Sequence, residues 1–337
     1  MTGLERTLAF IGGKPVDHPP FHPIIMRWAA KYAGVMYRDF CTVPAVKCDA
    51  MIKCARDFDM DWVTVMSDPW AEASAYGIEV EYPENSLPID VAGHFHDANA
   101  ASLIKTFNPE ENFRCKNRLS EIARFKEQLD NELFIVGWVE GPVAEYVDLR
   151  KASEAAVDFF LDPVAMEKAM DIIVESALYF IELQIKAGAD CIGIGDAFCS
   201  QIGPELYKKF AFLRHKKMTD YIHKYGAIAK LHICGDTGSI LPDMIRTGAD
   251  IIDIDHLVSS LGEFKGMLSP HQVFSGKPDP VTVIQDGNHD LIFRSVKSDY
   301  INSGRRCIVS AGCEITPGTS VDNMIAFSSA AKSLNII

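Results

Sequence analysis

The chain of 337 residues is 48% hydrophobic and 23% charged, which excludes disorder and collagen-like fibres and allows a large buried core. Lysine and arginine total 33 against 46 aspartates and glutamates, a net charge of −13 with no dense basic run, so nucleic acid is not an expected partner. No apolar run approaches the roughly 20 residues that span a bilayer. The opening MTGLERTLAF also lacks the basic-then-apolar order of a signal peptide, so the expectation is no membrane partner and a cytoplasmic location.

Eight short β-rich runs follow along the chain, at 20–26, 62–67, 134–139, 191–195, 228–233, 251–254, 272–275 and 306–310. Most are continuous apolar runs rather than alternating ones, the pattern of strands covered on both faces. Helical periodicity fills the intervals, most clearly at 164–186, 204–225 with Pro204 in its first turn, 239–246, 290–303 and 321–334. Strand then helix, repeated, predicts an α/β fold: a single (β/α)8 TIM barrel over 1–337, with a doubly wound open sheet as the competing arrangement. Residues 76–116 contain Pro83, Pro88, Gly93 and Pro109 and are long for one connection. They read as an inserted segment, able to form a hairpin over the barrel mouth.

In a barrel the chemistry sits where strands end and loops begin. The fifth run ends in KLHICGD, and strand alternation turns His232 and Cys234 to one face, at the mouth. The eighth ends in SAGCEI, which brings Cys313 to the same layer. One imidazole and two thiols form a Cys2His set that zinc favours, and three protein ligands with an open fourth position are catalytic in type. A buried cysteine also serves as a small hydrophobe, and a His-x-Cys pair alone is a weak signal. Of the nine cysteines, Cys41, Cys48, Cys54, Cys115 and Cys307 read as packing residues, reduced in a chain too large to need disulfide staples. No Gly-rich phosphate-cradling motif occurs, so no nucleotide cofactor is indicated.

Several stretches resemble the uroporphyrinogen decarboxylase superfamily: ERTLAF at 5–10 with GKPVDHPP at 13–20, SQIGPELY at 200–207, LHICG at 231–235 and GCEITPGT at 312–319. The resemblance covers nearly the whole chain and implies a TIM barrel. One branch of that superfamily, the zinc-dependent corrinoid methyltransferases typified by methylcobamide:coenzyme M methyltransferase, carries a His-x-Cys…Cys motif. It maps onto His232, Cys234 and Cys313, so the resemblance implies Zn2+ there. The decarboxylase branch carries Met-Arg-Gln-Ala-Gly-Arg-Tyr near its start, where this chain has MRWAAKY at 26–32. Arg27 is kept, but Lys31 replaces the second arginine and cannot grip a carboxylate bidentately. That branch's aspartate is matched by Asp68, and its histidine after the eighth strand is replaced by Cys313. The two departures favour the methyltransferase branch.

The resemblance therefore implies methyl transfer between a corrinoid (cobalamin) on a partner protein and a small thiol such as coenzyme M, or from a small methyl donor to that corrinoid. A zinc-bound thiol becomes a thiolate at neutral pH, and a methylcorrinoid surrenders its methyl to such a nucleophile. In this reading Glu140 is a displaceable oxygen ligand or the base for the thiol. Asp196 and Asp255 are catalytic carboxylates that orient His232 or hold substrate, and Arg27, Asp68 and His256 are substrate contacts. Each has a plainer reading: a capping carboxylate for Glu140, barrel-end salt bridges for Asp196, Asp255 and His256, and a structural pair for Arg27 and Asp68. Two other functions compete, a metal-free tetrapyrrole decarboxylase and a non-catalytic corrinoid-binding protein.

Overall fold

The computed structural model describes residues 1–97 and 99–334. Its strands are β1 (Trp62–Thr64), β2 (Glu79–Glu81), β3 (Ile89–Ala92), β4 (Phe134–Glu140), β5 (Cys191–Gly195), β6 (Ile228–Ile233), β7 (Ile251–Ile254), β8 (Val273–Gly276) and β9 (Cys307–Val309). Seven of them form one parallel sheet in the order β1-β4-β5-β6-β7-β8-β9. Strands consecutive in the chain are thus neighbours in space, so the sheet winds in one direction with helices between its strands, a curled, barrel-like α/β wall. Every residue of β5, β7 and β8 is buried, as the unbroken apolar runs foretell.

The run at 20–26 departs from expectation. It makes one parallel bridge, Phe21 with Val309, rather than a ladder. Pro20 and Pro23 have no N–H to donate, so pairing stops at two bonds, from His22 N–H to the Val309 carbonyl and from Val309 N–H to the Pro20 carbonyl, each 2.9 Å. On its other side the segment is held by Asp61. The Asp61 N–H donates to the Phe21 carbonyl at 2.9 Å, and Phe21 N–H donates to Asp61 Oδ2 at 2.7 Å. Arg6 donates to the other oxygen of the same buried carboxylate.

The long helix Pro163–Ala187 begins at the Asp162 cap and stops at Gly188, which adopts φ 115°. Its buried residues include Met166, Met170, Ile173, Ala177, Phe180, Ile181 and Gln184, a three-and-four spacing that lays one face on β4. The expected helix at 204–225 is in fact compound. A helix at Cys199–Leu206 is kinked at Gly203 (φ 79°), a π-helical turn covers Tyr207–Phe212, and a regular helix resumes at Leu213–Lys224. Pro204 has no N–H to carry the ladder through the kink.

Within 76–116, β2 and β3 pair as an antiparallel hairpin and a short helix spans Ala100–Leu103. The insertion is tied down by Trp70 Nε1–H to the Pro88 carbonyl, by Arg114 Nη1 to the Tyr82 hydroxyl and by Phe95 N–H to the Leu149 carbonyl. Among the described residues no helix is long and apolar enough to cross a membrane.

Asp61 joins the N-terminal segment to the sheet through one buried carboxylate. Asp61→Ala is expected to destabilise the protein by about 3 kcal/mol, because it leaves the buried Phe21 N–H without a partner and the Arg6 guanidinium with only the half-exposed Asp17. Urea denaturation of the variant beside the parent measures this, and a loss below about 1 kcal/mol contradicts it.

Candidate metal centre

A cavity of about 160 Å3 opens at the carboxyl ends of the strands, lined by Ile24, Met26, Met66 and Trp138 together with His232, Cys234 and Cys313. His232 lies on β6, and Cys234 follows two residues later on the same side of the chain. Gly235 then turns away with φ 90°, and its N–H donates to Asp255 Oδ2 at 2.9 Å. Cys313 arrives from the loop after β9. A Cβ at the preceding Gly312 would stand 2.2 Å from the His256 nitrogen, so only glycine lets this loop press against the one after β7.

The three side chains converge. His232 Nε2 lies 3.0 Å from Cys234 Sγ, which lies 3.7 Å from Cys313 Sγ, and all three donor atoms fall within 4.8 Å of one another. Tetrahedral zinc with bonds of about 2.3 Å to two thiolates separates the sulfurs by about 3.8 Å, so the donor set and its spacing fit that ion. The two sulfurs share a proton. The hydrogen bond from Cys234 holds Cys313 down, to about 4, and the same contact with burial pushes Cys234 far up.

Behind His232 stands Asp253, a residue the sequence reading passed over in favour of Asp255. Parallel pairing sets His232 directly beside Asp253 on β7, and Nδ1 lies 2.9 Å from Asp253 Oδ2. Lys230 Nζ is 2.9 Å from the same oxygen. Burial would raise the Asp253 carboxyl, but the Lys230 and His232 charges hold it well below the usual carboxylate range. Burial likewise opposes a charged His232, yet Asp253 and the Cys313 sulfur outweigh it and raise the imidazole to about 9.

Trp138 shapes the cavity wall. Its indole lies across β5 where Gly193 and Gly195 leave room; a Cβ at either would meet the ring at 2.4 and 2.5 Å. Gln184 brackets the Trp138 backbone, accepting from its N–H at 2.8 Å and donating to its carbonyl at 3.0 Å. Trp138 Nε1–H donates to Glu140 Oε1 at 3.0 Å. Glu140 lines the cavity, and burial together with the Glu72 charge pushes its carboxyl well above the usual range.

The other sequence candidates are distributed differently. Asp196 is fully buried and is not among the lining residues. Its carboxylate accepts from Ala144 N–H at 2.6 Å and from Val143 N–H at 3.4 Å, at the start of the helix Pro142–Arg150, and lies 2.7 Å from His215 Nε2. Asp196, Cys199 and His215 also cluster with metal-type side chains. His215 Nδ1 is already engaged by the Tyr207 hydroxyl at 3.2 Å, so both ring nitrogens are committed. Asp255 braces the loops through Gly235 and Leu257 N–H and lies 2.6 Å from His256 Nδ1.

Asp68 does line the cavity. Burial raises its carboxyl, but the Arg114 guanidinium at 2.7 Å and the Ser67 hydroxyl bring it down to about 2. The predicted pairing of Arg27 with Asp68 is absent, since Asp68 takes Arg114 as its partner. Arg27 lines another cavity, of about 440 Å3, with Lys31 and Asn85, and its backbone N–H donates to Glu314 at 2.9 Å.

The sequence model of the family described as Uroporphyrinogen decarboxylase (URO-D) matches residues 2–334, and the chain belongs to that family. Its relatives include the uroporphyrinogen decarboxylase of Parasynechococcus marenigrum, 27% identical over 341 residues, covering 96% of this chain and 94% of the relative. That of Prochlorococcus marinus is 26% identical over 340 residues, with 96% and 95% covered. Among solved structures, a methyltransferase from Methanosarcina mazei superposes with a TM-score of 0.88 at 22% identity over 98% of both chains. A B12-independent methionine synthase from a Shewanella species superposes at 0.55, with 13% identity over 86% and 87%. These structures share the fold.

Gly195→Ala is expected to cost about 1–3 kcal/mol and to displace the Trp138 ring from β5, because the added methyl overpacks a filled site. Denaturation curves and the fluorescence of Trp138, isolated by replacing the other three of the four tryptophans with phenylalanine, check this. An unchanged spectrum and stability would refute the assigned packing.

Proposed function

We propose that the chain is a zinc-dependent methyltransferase that moves a methyl group between a corrinoid on a partner protein and a small thiol, or from a small methyl donor to that corrinoid. The observation that carries this reading is the meeting of His232, Cys234 and Cys313 in one cavity. The fold suits it: the Phe21 segment, bonded on both sides, serves as the eighth stave of a (β/α)8 barrel over the whole chain.

His232, Cys234 and Cys313 would hold the metal. When bound, zinc supplies the Lewis acidity that keeps a substrate sulfur deprotonated at neutral pH. Asp253 fixes the proton on His232 Nδ1 and leaves Nε2 to the metal, while Lys230 keeps Asp253 charged. Trp138, Met26 and Met66 exclude water from the reacting sulfur. Glu140, at the cavity wall, takes up the proton that an incoming thiol releases. Asp196 acts through its neighbours. It caps the helix that follows Glu140, and its backbone N–H donates to the His232 carbonyl at 3.0 Å, so it is a positioning residue. Asp255 and His256 brace the loops that carry Cys234 and Cys313. Asp68 shapes the wall, and Arg27 faces the outer cavity where the partner or the far end of a substrate would approach.

The named sequence relatives keep a decarboxylase reading in view. A tetrapyrrole bearing many carboxylates would need a large basic pocket, whereas this cavity measures about 160 Å3 and carries Asp68, Glu140 and Glu314. Formation of coproporphyrinogen from uroporphyrinogen by metal-free protein would establish that reading instead.

Anoxically purified protein is expected to hold about one zinc per chain, lost in Cys234→Ser together with thiol-dependent demethylation of methylcobalamin. Full activity in that variant would sink the mechanism. Asp253→Asn is expected to weaken zinc binding about 10–100-fold in competition with a chromophoric chelator, and an unchanged affinity would remove Asp253 from the design. Metal uptake must also displace the proton of His232, raised to about 9. Apparent zinc affinity therefore rises with pH throughout the accessible range, more steeply below about 9, where both His232 and Cys234 give up a proton, than above it, where only Cys234 does, and a titration that is flat across neutral pH contradicts this.

A further inference from the structure

Cys313 takes its place from the loop that carries it, and that loop is held from two sides. The N-terminal segment supplies one side: Ile315 N–H donates to the Ile24 carbonyl at 2.8 Å and Trp28 Nε1–H to the Thr319 carbonyl at 2.9 Å. Lys31, which stands where the decarboxylase pattern has its second arginine, donates to the Pro317 carbonyl at 2.7 Å. The segment after β8 supplies the other side. Gly312 N–H, just before the ligand, donates to the Pro278 carbonyl at 2.9 Å, and the Thr316 hydroxyl, shortly after it, donates to Gln285 Oε1 at 2.5 Å. Cys313 is thus bracketed by bonds to one stretch of chain, 278–285.

Gln285 is itself firmly held. It ends a π-helical turn, Pro280–Gln285, that opens on the Asp279 cap. The end of such a turn leaves carbonyls without an N–H from the ladder, and here Asn323 Nδ2 donates to those of Ile284, Gln285 and Gly287 at 2.8, 3.0 and 3.1 Å. The side chain is fixed as well: Nε2 donates to Asp286 Oδ1 at 2.9 Å, and a Cβ at Gly318 would collide with Oε1, so the loop can lie against this carboxamide only with glycine there. With its proton given to Gln285, the Thr316 oxygen accepts from the Thr319 hydroxyl at 3.2 Å. We propose that Gln285 is a positioning residue for the metal centre: through Thr316 it fixes the loop that sets the Cys313 sulfur 3.7 Å from that of Cys234, the separation a two-thiolate site demands. The inference rests on the metal reading for what the sulfurs hold, and on these bonds alone for where Cys313 stands.

Gln285→Ala is expected to weaken zinc binding about tenfold in competition with a chelator, and to lower the thiolate-to-metal absorption of cobalt-loaded protein, because Cys313 no longer holds the ion at full strength. Thr316→Val should do the same, and it serves if the first variant fails to fold, while Thr316→Ser keeps the hydroxyl and should match the parent. The double variant Gln285→Ala with Thr316→Val should be no worse than either alone, since both changes break one bond. A metal-free measurement stands beside these. Phenylarsine oxide, whose arsenic bonds two neighbouring thiols with release of water, should be captured by Cys234 and Cys313 of the chelated parent and several-fold less by Gln285→Ala. Parent-like zinc affinity, cobalt spectrum and arsenic capture in Gln285→Ala, or losses that add in the double variant, overturn the proposal. A parent that takes up no zinc but captures the arsenical, with capture weakened in Gln285→Ala, fails the metal reading alone. A parent that holds zinc and is matched by Gln285→Ala fails this one alone, and uptake of neither by the parent overturns both.

Discussion

Asp253 is a carboxylate placed where water cannot hydrate it, and its two cationic neighbours set the character of the curled sheet's interior around it. A buried ion costs several kcal/mol unless partners compensate, and here Lys230 and His232 both lie 2.9 Å from one oxygen. The support continues downward. Lys230 sits over the Trp62 ring at 5.6 Å, and His22 stacks on the same ring at 4.7 Å. His22, deep in this layer, is driven toward its neutral form by burial and by the Lys230 charge. The imidazole at the cavity floor is thus the top of a column of polar and aromatic groups, and its orientation is inherited from the parallel register of β6 and β7.

Small residues give the cavity its shape as much as large ones do. Gly193 and Gly195 make β5 thin enough for an indole to lie on it, and Gly137 makes room for the Gln184 amide on β4. Bringing the long helix so close to β4 lets its glutamine satisfy the backbone of the residue that walls the site. The same economy appears at Gly312, where the loops after β7 and β9, two strands apart in the sheet, meet backbone to backbone.

Much of this was readable beforehand, because parallel strands announce themselves as unbroken apolar runs. The runs at 191–195, 228–233 and 251–254 coincide with β5, β6 and β7. The convergence of His232, Cys234 and Cys313 follows from the position of each at a strand end. Asp253 leaves only a faint mark in the sequence because it interrupts an apolar run by a single residue, whereas Asp255, two positions later, stands at the strand end where site residues are expected. A signal was present: an acid inside a buried strand must face a cation, and Lys230 and His232 stand on the adjacent run with matching parity. Gln285 leaves no such mark, since the fold alone brings its turn against the loop of Cys313. The N-terminal run reads as a full strand because its hydrophobicity suits one, while its prolines limit it to one bridge.

The N-terminal segment and the chain around the last strand meet each other. Phe21 pairs with Val309, Ile315 N–H donates to the Ile24 carbonyl at 2.8 Å, and Arg27 bonds Glu314 across 287 positions of sequence. A ribosome delivers these partners at opposite ends of synthesis. Until Cys313 emerges, the nascent chain holds an open sheet with one unpaired edge and only two of the three converging donors, so the seam and the third donor arrive in the same late stretch of chain. Completion of the wall and completion of the site are a single event in the life of the molecule.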